Sequence, residues 1–172
     1  MRPIISLVLS IGFVLPSRAI AQHASHQHDA HAASKDSAFG AMQARGKRAM
    51  GVDQYTSIHR FDDFADGGRI ELQRDRDDSA GISAIRDHIR TIARAFSAGD
   101  FSTPATVHLA EVPGSATMRA KRSAIRYDAV DLPRGAALRI RSTDREAIAA
   151  VHRFLAYQRR EHRAPGAAMG AH

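Results

Sequence analysis

The sequence predicts an α+β domain: a tandem ββα repeat forming a four-stranded antiparallel sheet with helices on one face, plus an N-terminal helix and a helical insertion between the repeats. Three observations carry that prediction. From Ile58 to Phe96 two alternating segments flank a glycine turn and lead into an apolar stripe at helical spacing. Ile125 to His162 follows the same plan. At an offset of 66, Phe61 matches Tyr127, Ile82 matches Ile148, Ile85 matches Val151 and Ile89 matches Leu155.

Taken in order, Met1 to Ala21 reads as a secretory signal. Arg2 gives the positive start, Ile4 to Leu15 the apolar stretch, and Ala19-Ile20-Ala21 the small-residue cleavage site before Gln22. The apolar stretch is too short to span a bilayer, and no transmembrane segment is expected once the signal is removed. The mature chain is therefore expected in the periplasm or outside the cell. Loss of Arg2 and Arg18 lowers the formal charge from +7 to +5.

Residues 22–35 are rich in Ala and Ser and carry His23, His26, His28 and His31 without apolar periodicity, which predicts disorder. Neutral imidazoles this close together suit Cu²⁺, Zn²⁺ and Ni²⁺. The same composition also serves as a solubilising tail. The folded domain is expected over residues 36–163. Its first element is a short helix from Asp36 to Met50, with Phe39, Met42, Gly46 and Ala49 on one face.

In the first unit (58–96), His59, Phe61 and Asp63 alternate against Ile58, Arg60 and Asp62. Asp66-Gly67-Gly68 supplies a hairpin turn, and Ile70 and Leu72 face inward on the return strand. A helix carrying Ile82, Ile85, Ile89, Ile92 and Phe96 stops at Gly99-Asp100. The insertion (97–123) reads as a loop from Thr103-Pro104 to His108, then a short helix through Met118. In the second unit (124–162), Ile125, Tyr127 and Ala129 alternate with Arg126 and Asp128, Pro133-Arg134-Gly135 turns the chain, and Leu138 and Ile140 face inward on the return strand. Thr143 and Glu146 form a capping box ahead of a helix with Ile148, Val151, Leu155 and Gln158 inside. Residues 164–172 are expected to be a disordered tail.

Length and composition narrow the functional classes. At 172 residues, 44% hydrophobic and 25% charged, the chain holds one domain with a real core. It has no cysteine, which excludes disulfides, thiolate ligands and a cysteine nucleophile. Lys35, Lys47 and Lys121 are the only lysines among 25 basic residues, and the arginines are mixed with acids, as in Arg74-Asp75-Arg76-Asp77-Asp78. No basic stripe with interleaved aromatics exists, so nucleic acid is not an expected partner, whereas an anionic envelope surface is a candidate one. G-x-S-x-G, H-E-x-x-H and phosphate-binding glycine loops are absent.

The candidate site lies in the first unit. His59 shares a strand face with Phe61, and His88 edges the helix stripe beside Gly81, Ala84 and Ala95. At the 66-residue offset, Ile125 stands in place of His59 and Phe154 in place of His88. One reading is a site that only this unit keeps; the other is a pair of core histidines satisfied by hydrogen bonds. If the insertion folds over the first unit, His108, Met118 and Met50 join them. Imidazole with thioether is a copper-binding set, with zinc as the alternative ion. Against that, methionine is also a common core gap-filler. His152 and His162 read as surface or rim residues.

Met50-Gly51-Val52-Asp53-Gln54 with His59-x-Phe61, Asp66-Gly67-Gly68, Ala98-Gly99-Asp100-Phe101, Val107-His108, Val112-Pro113-Gly114 and Phe154-Leu155 resembles a group of small exported bacterial proteins, over about Ala38 to His162. The resemblance implies no activity. The aspartate carbamoyltransferase label attached to some members is not carried over, because this chain lacks the Ser-Thr-Arg-Thr carbamoyl-phosphate loop and is too short for that two-domain enzyme. Three expectations stand side by side. The first is a periplasmic protein binding a transition metal, copper foremost. The second is a small-molecule-binding or acid–base catalytic domain using His59, His88 and His108 without metal. The third is an envelope structural or interaction domain.

Overall fold

Four strands of eight residues each, β1 (Ser57–Phe64), β2 (Gly67–Arg74), β3 (Ile125–Leu132) and β4 (Gly135–Ser142), form one antiparallel sheet in the order β1-β2-β4-β3. This computed structural model describes residues 36–49, 51 and 53–165. Helix α1 covers 36–49, α2 follows β2 as Ser79–Ser97, and α5 follows β4 as Arg145–Glu161. Between the units stand α3 (Ser102–His108) and α4 (Ser115–Ala120). The tandem ββα plan and the helical insertion are therefore present. Among the described residues no helix is long and apolar enough to cross a membrane.

The two hairpins correspond at an offset of 68, while the helices correspond at 66. Phe64 pairs with Gly67 and Leu132 with Gly135, which fixes the hairpin alignment. The link from β2 to α2 spans residues 75–78, whereas that from β4 to α5 spans only 143–144, and this shorter link absorbs the difference. The expected equivalence of His59 with Ile125 is thereby corrected. His59 pairs with Leu72 as Tyr127 pairs with Ile140, so Tyr127 is the true counterpart. His88 and Phe154, both on helices, keep the equivalence that the sequence suggested.

The first turn is also shifted from the expected one: Ala65 and Asp66 form it, and Gly67 is already the first residue of β2. Glycine is needed there for the approach of β4, since a Cβ at Gly67 would lie 2.3 Å from the Ile140 carbonyl oxygen. Gly135 plays the same part on β4, where a Cβ would lie 2.0 Å from the Leu72 carbonyl oxygen. These matched contacts seat the two hairpins against each other at the middle of the sheet.

Asp78 caps α2 by accepting from Gly81 N–H, and the stripe Ile85, Ile89, Ile92, Ala93 and Phe96 is buried. On α5 the cap is Asp144, which accepts from the N–H groups of Glu146 and Ala147, in place of the expected Thr143–Glu146 box. The segment expected as a loop from Thr103 to His108 is helix α3. Pro104 sits in its first turn, where a missing N–H leaves no helical bond unmade. Helix α2 packs on β3 and β4, and α5 on β1 and β2, so each helix covers the other unit's hairpin. Ile85, Ile89, Leu138, Ile140, Val151 and Leu155 fill the layer between, each worth ~1.5–3 kcal/mol on burial. Phe96 stacks on Phe101 at 4.4 Å and meets Phe154 edge-on at 5.7 Å. The second unit's interior is filled by this aromatic cluster. The first unit's is not.

Candidate functional site

Above the β1–β2 hairpin, between α2 and α5, lies a cavity of about 90 Å³ that opens to solvent, with Gly46 and Ala49 of α1 and Thr103, Pro104 and Val107 of α3 in its outer wall. Phe61, Ile70, Leu72, Ile89, Ile92, Phe96 and Phe154 give it an apolar floor and sides. Four histidines also line it: His59, His88, His108 and His162. Among the described residues that line it there is no Asp, Glu, Lys or Arg.

Strand β1 turns His59 inward, and the side chain is buried at 5% exposure. Its Nε2 lies 3.1 Å from Ser57 Oγ, while that hydroxyl donates its single proton to the Asp53 carbonyl at 2.9 Å. The Ser57 oxygen can therefore only accept from His59, so Nε2 carries the proton and Nδ1 the lone pair. The same logic fixes His108, at the end of α3. Its Nε2 lies 3.0 Å from Gln158 Oε1, an acceptor, which again leaves Nδ1 as the lone-pair nitrogen.

His88 comes from α2, one turn before Ile92, and finds no hydrogen-bond partner among the described residues. His162 caps the C-terminus of α5, 8% exposed, and its backbone N–H bonds to the Gln158 carbonyl at 2.9 Å. Its ring centroid lies 5.8 Å from that of His59, 5.6 Å from Phe61 and 5.2 Å from His108, which it meets edge-on.

Burial holds all four rings neutral. Desolvation pushes His59 and His88 down to about 4, with His88 adding to the effect on His59. His162 falls to about 3 through burial and then through its neighbours His59 and His108. Burial lowers His108 as well, against the upward pull of its Gln158 hydrogen bond and of Glu161. Arg45 also acts on His108; its Nε donates to the Val107 carbonyl at 2.7 Å and so ties α1 to α3.

His59, His88 and His108 thus line one cavity, and His162 lines it with them. The expectation that His162 is a rim residue is corrected. The available signal was its correspondence with Phe96, a fully buried position. Its helix end does not fray, because Ala164 N–H closes a further turn on the Arg159 carbonyl at 3.0 Å. His152 is half-buried, and its Nε2 reaches the carbonyls of Phe64 and Gly67 at 2.9 and 3.0 Å, fastening α5 to the first turn.

Met118 does not reach the cavity wall. It is 0% exposed and belongs to the hydrophobic core, so its expected place in the site is corrected. Met50, His23, His26, His28 and His31 lie outside the described residues. Among the described residues, no three His, Asp or Glu side chains form a group that could hold a metal ion. The donor chemistry fits a metal, but three donors are not gathered at one point. Compared with known proteins, the chain matches no family model, no curated protein and no solved structure.

Proposed function

We propose that this chain is an exported binding protein whose cavity takes a compact, uncharged and mostly apolar small molecule. The observation that carries the reading is the wall itself: apolar side chains and four neutral imidazoles, with no charged side chain among the described residues that line it. An ion entering such a wall loses its hydration without gaining a counter-charge, whereas a neutral molecule exchanges water for apolar contact and a few hydrogen bonds. An apolar cavity of roughly 150 Å³ holds benzene; this one, at about 90 Å³, is smaller, so a single small ring would have to extend through its open side. The low histidine pKa values favour binding over acid–base catalysis, because imidazoles titrating near 4 are weak bases at neutral pH. Export rests on the signal-like segment Met1 to Ala21. Titration of the chain starting at Gln22 with phenol, indole and benzene, followed by imidazole NMR shifts, tests the proposal. Saturable shifts at the cavity histidines are expected; none at millimolar ligand would overturn it.

A second reading, a transition-metal centre with copper foremost and zinc as the alternative, is favoured by the ring spacings. Two imidazoles sharing one tetrahedral ion have centroids ~5 Å apart, given M–N bonds of ~2.0–2.1 Å. His108–His162 stands at 5.2 Å and His59–His162 at 5.8 Å. His59 and His108 also donate Nε2–H to fixed partners and keep Nδ1 for an ion, as ligating histidines do. Cu⁺ and Zn²⁺ titrations of a variant with His23, His26, His28 and His31 changed to Ala discriminate. Stoichiometric binding abolished by His59→Phe with His162→Phe would replace the first reading by this one.

A further inference from the structure

We infer that the cavity selects one chemical class, a neutral single-ring aromatic bearing a hydroxyl, and that His88 is the side chain that recognises the hydroxyl. The inference rests on the binding reading above and adds what the ligand must carry.

Hydrogen-bond bookkeeping singles out His88. The Nε2–H groups of His59 and His108 are committed to Ser57 and Gln158, and their Nδ1 atoms are acceptors. His88 alone among these three has neither nitrogen engaged by a described residue. A neutral imidazole offers one donor and one acceptor, and a phenolic hydroxyl answers either in a single contact. The wall is thus rich in acceptors, which favours a ligand with an O–H over one that only accepts.

The repeat supplies an independent argument. At the position of His88 the second unit carries Phe154, which is buried at 1% exposure in the aromatic cluster. A hydrocarbon therefore satisfies the fold at this point of the helix, and an imidazole there is not a packing requirement. Phe61, Phe96 and Phe154 meanwhile line the cavity, and aromatic side chains are suited to packing against an aromatic guest. Ionised guests are excluded by the missing counter-charge. Burial also keeps His88 unprotonated at neutral pH, so it offers a carboxylate no cation.

The test is calorimetric titration of the chain starting at Gln22, at pH 7, with phenol, benzene, benzoate and benzylamine, on wild type, His88→Phe and His88→Gln. Wild type should prefer phenol to benzene by about ten-fold, the worth of one hydrogen bond, and ignore both ions. His88→Phe should erase that preference while still binding benzene, which also reports that the variant is folded. His88→Gln should restore part of it. An unchanged phenol-to-benzene ratio in His88→Phe, or benzoate bound as tightly as phenol, overturns the inference and leaves the binding reading standing. If neither phenol nor benzene binds wild type, both fall together.

Discussion

His59 and His162 face each other with ring centroids 5.8 Å apart, one on β1 and the other at the C-terminal end of α5. They belong to different ββα units, and the meeting follows from the crossing of the helices: α5 packs over the hairpin of the first unit. Two imidazoles so close and so buried coexist only while neutral. A proton on either would sit in an apolar wall beside Phe61 without a carboxylate on the cavity lining.

Acid should therefore weaken the fold. In the unfolded chain an imidazole takes its proton near 6.5, whereas in the fold His59 and His88 wait until about 4 and His162 until about 3. Below pH 6.5 the unfolded chain binds more protons, so stability is full above that pH and is lost as pH falls toward 4. At pH 5 each such histidine costs about 2 kcal/mol, from ~1.4 kcal/mol per pH unit. Urea unfolding at pH 7 and pH 5 measures the loss, and His162→Phe, which copies Phe96, should remove about 2 kcal/mol of it.

Arg159 anchors the strand that carries His59. Its Nη1 donates to the Phe61 carbonyl at 2.5 Å and its Nη2 to Asp63 at 2.6 Å, with both side chains 19% exposed. Arg159→Met leaves the Asp63 carboxylate largely buried and unpaired, at a cost of about 3 kcal/mol. Adding Asp63→Leu should recover most of that loss in urea unfolding. A double variant no more stable than Arg159→Met would place the loss in the Phe61 carbonyl contact instead.

Much of this fold was legible because alternation and helical spacing are local signals. Phe61, Leu72, Ile85, Ile89 and Leu155 could be placed in the core from periodicity alone. What escaped was set by tertiary geometry. The two-residue difference between the links 75–78 and 143–144 cannot be read from apolar periodicity, which aligns His59 with Ile125 instead of Tyr127. His162 looked like a chain-end residue because its burial depends on α5 crossing to the first hairpin. Met118 could be assigned equally to core or site by type, and packing decided it. The approach of His108 depended on how the insertion folds, which no spacing specifies.

Met118 supplies a direct check of that assignment. Met118→Leu keeps the volume and should cost under about 1.5 kcal/mol, whereas Met118→Ala should cost about 2–5 kcal/mol. Neither should change the affinity for phenol or for Cu⁺ beyond what lost folding explains. A Cu⁺ affinity that falls sharply in the stable Met118→Leu variant would return the thioether to the site.

Access to the cavity is expected to depend on α1. Gly46 and Ala49 stand in the cavity wall, and Met42, 5% exposed, is the one hydrophobic side chain of α1 buried in the core. It is further held by the Arg45 bond to the Val107 carbonyl, the Arg163 guanidinium 4.1 Å over the Phe39 ring and the exposed Lys47–Asp53 ion pair at 3.3 Å. A segment so attached opens at lower cost than the core beneath it. A Cβ at Gly51 would lie 3.9 Å from the Ala84 Cβ on α2, within the ~3.5–4.5 Å that a disulfide spans. Gly51→Cys with Ala84→Cys should therefore fasten the end of α1 to α2 in a chain that has no other cysteine. Oxidation should slow carbethoxylation of His88 by about ten-fold relative to the reduced form, as expected where reagent entry waits on local opening. Gly51 holds φ at 73°, so cysteine is strained there, but the strain is common to both redox states and cancels in the ratio. Equal rates before and after reduction would mean that reagent reaches the histidines by a route that does not pass α1.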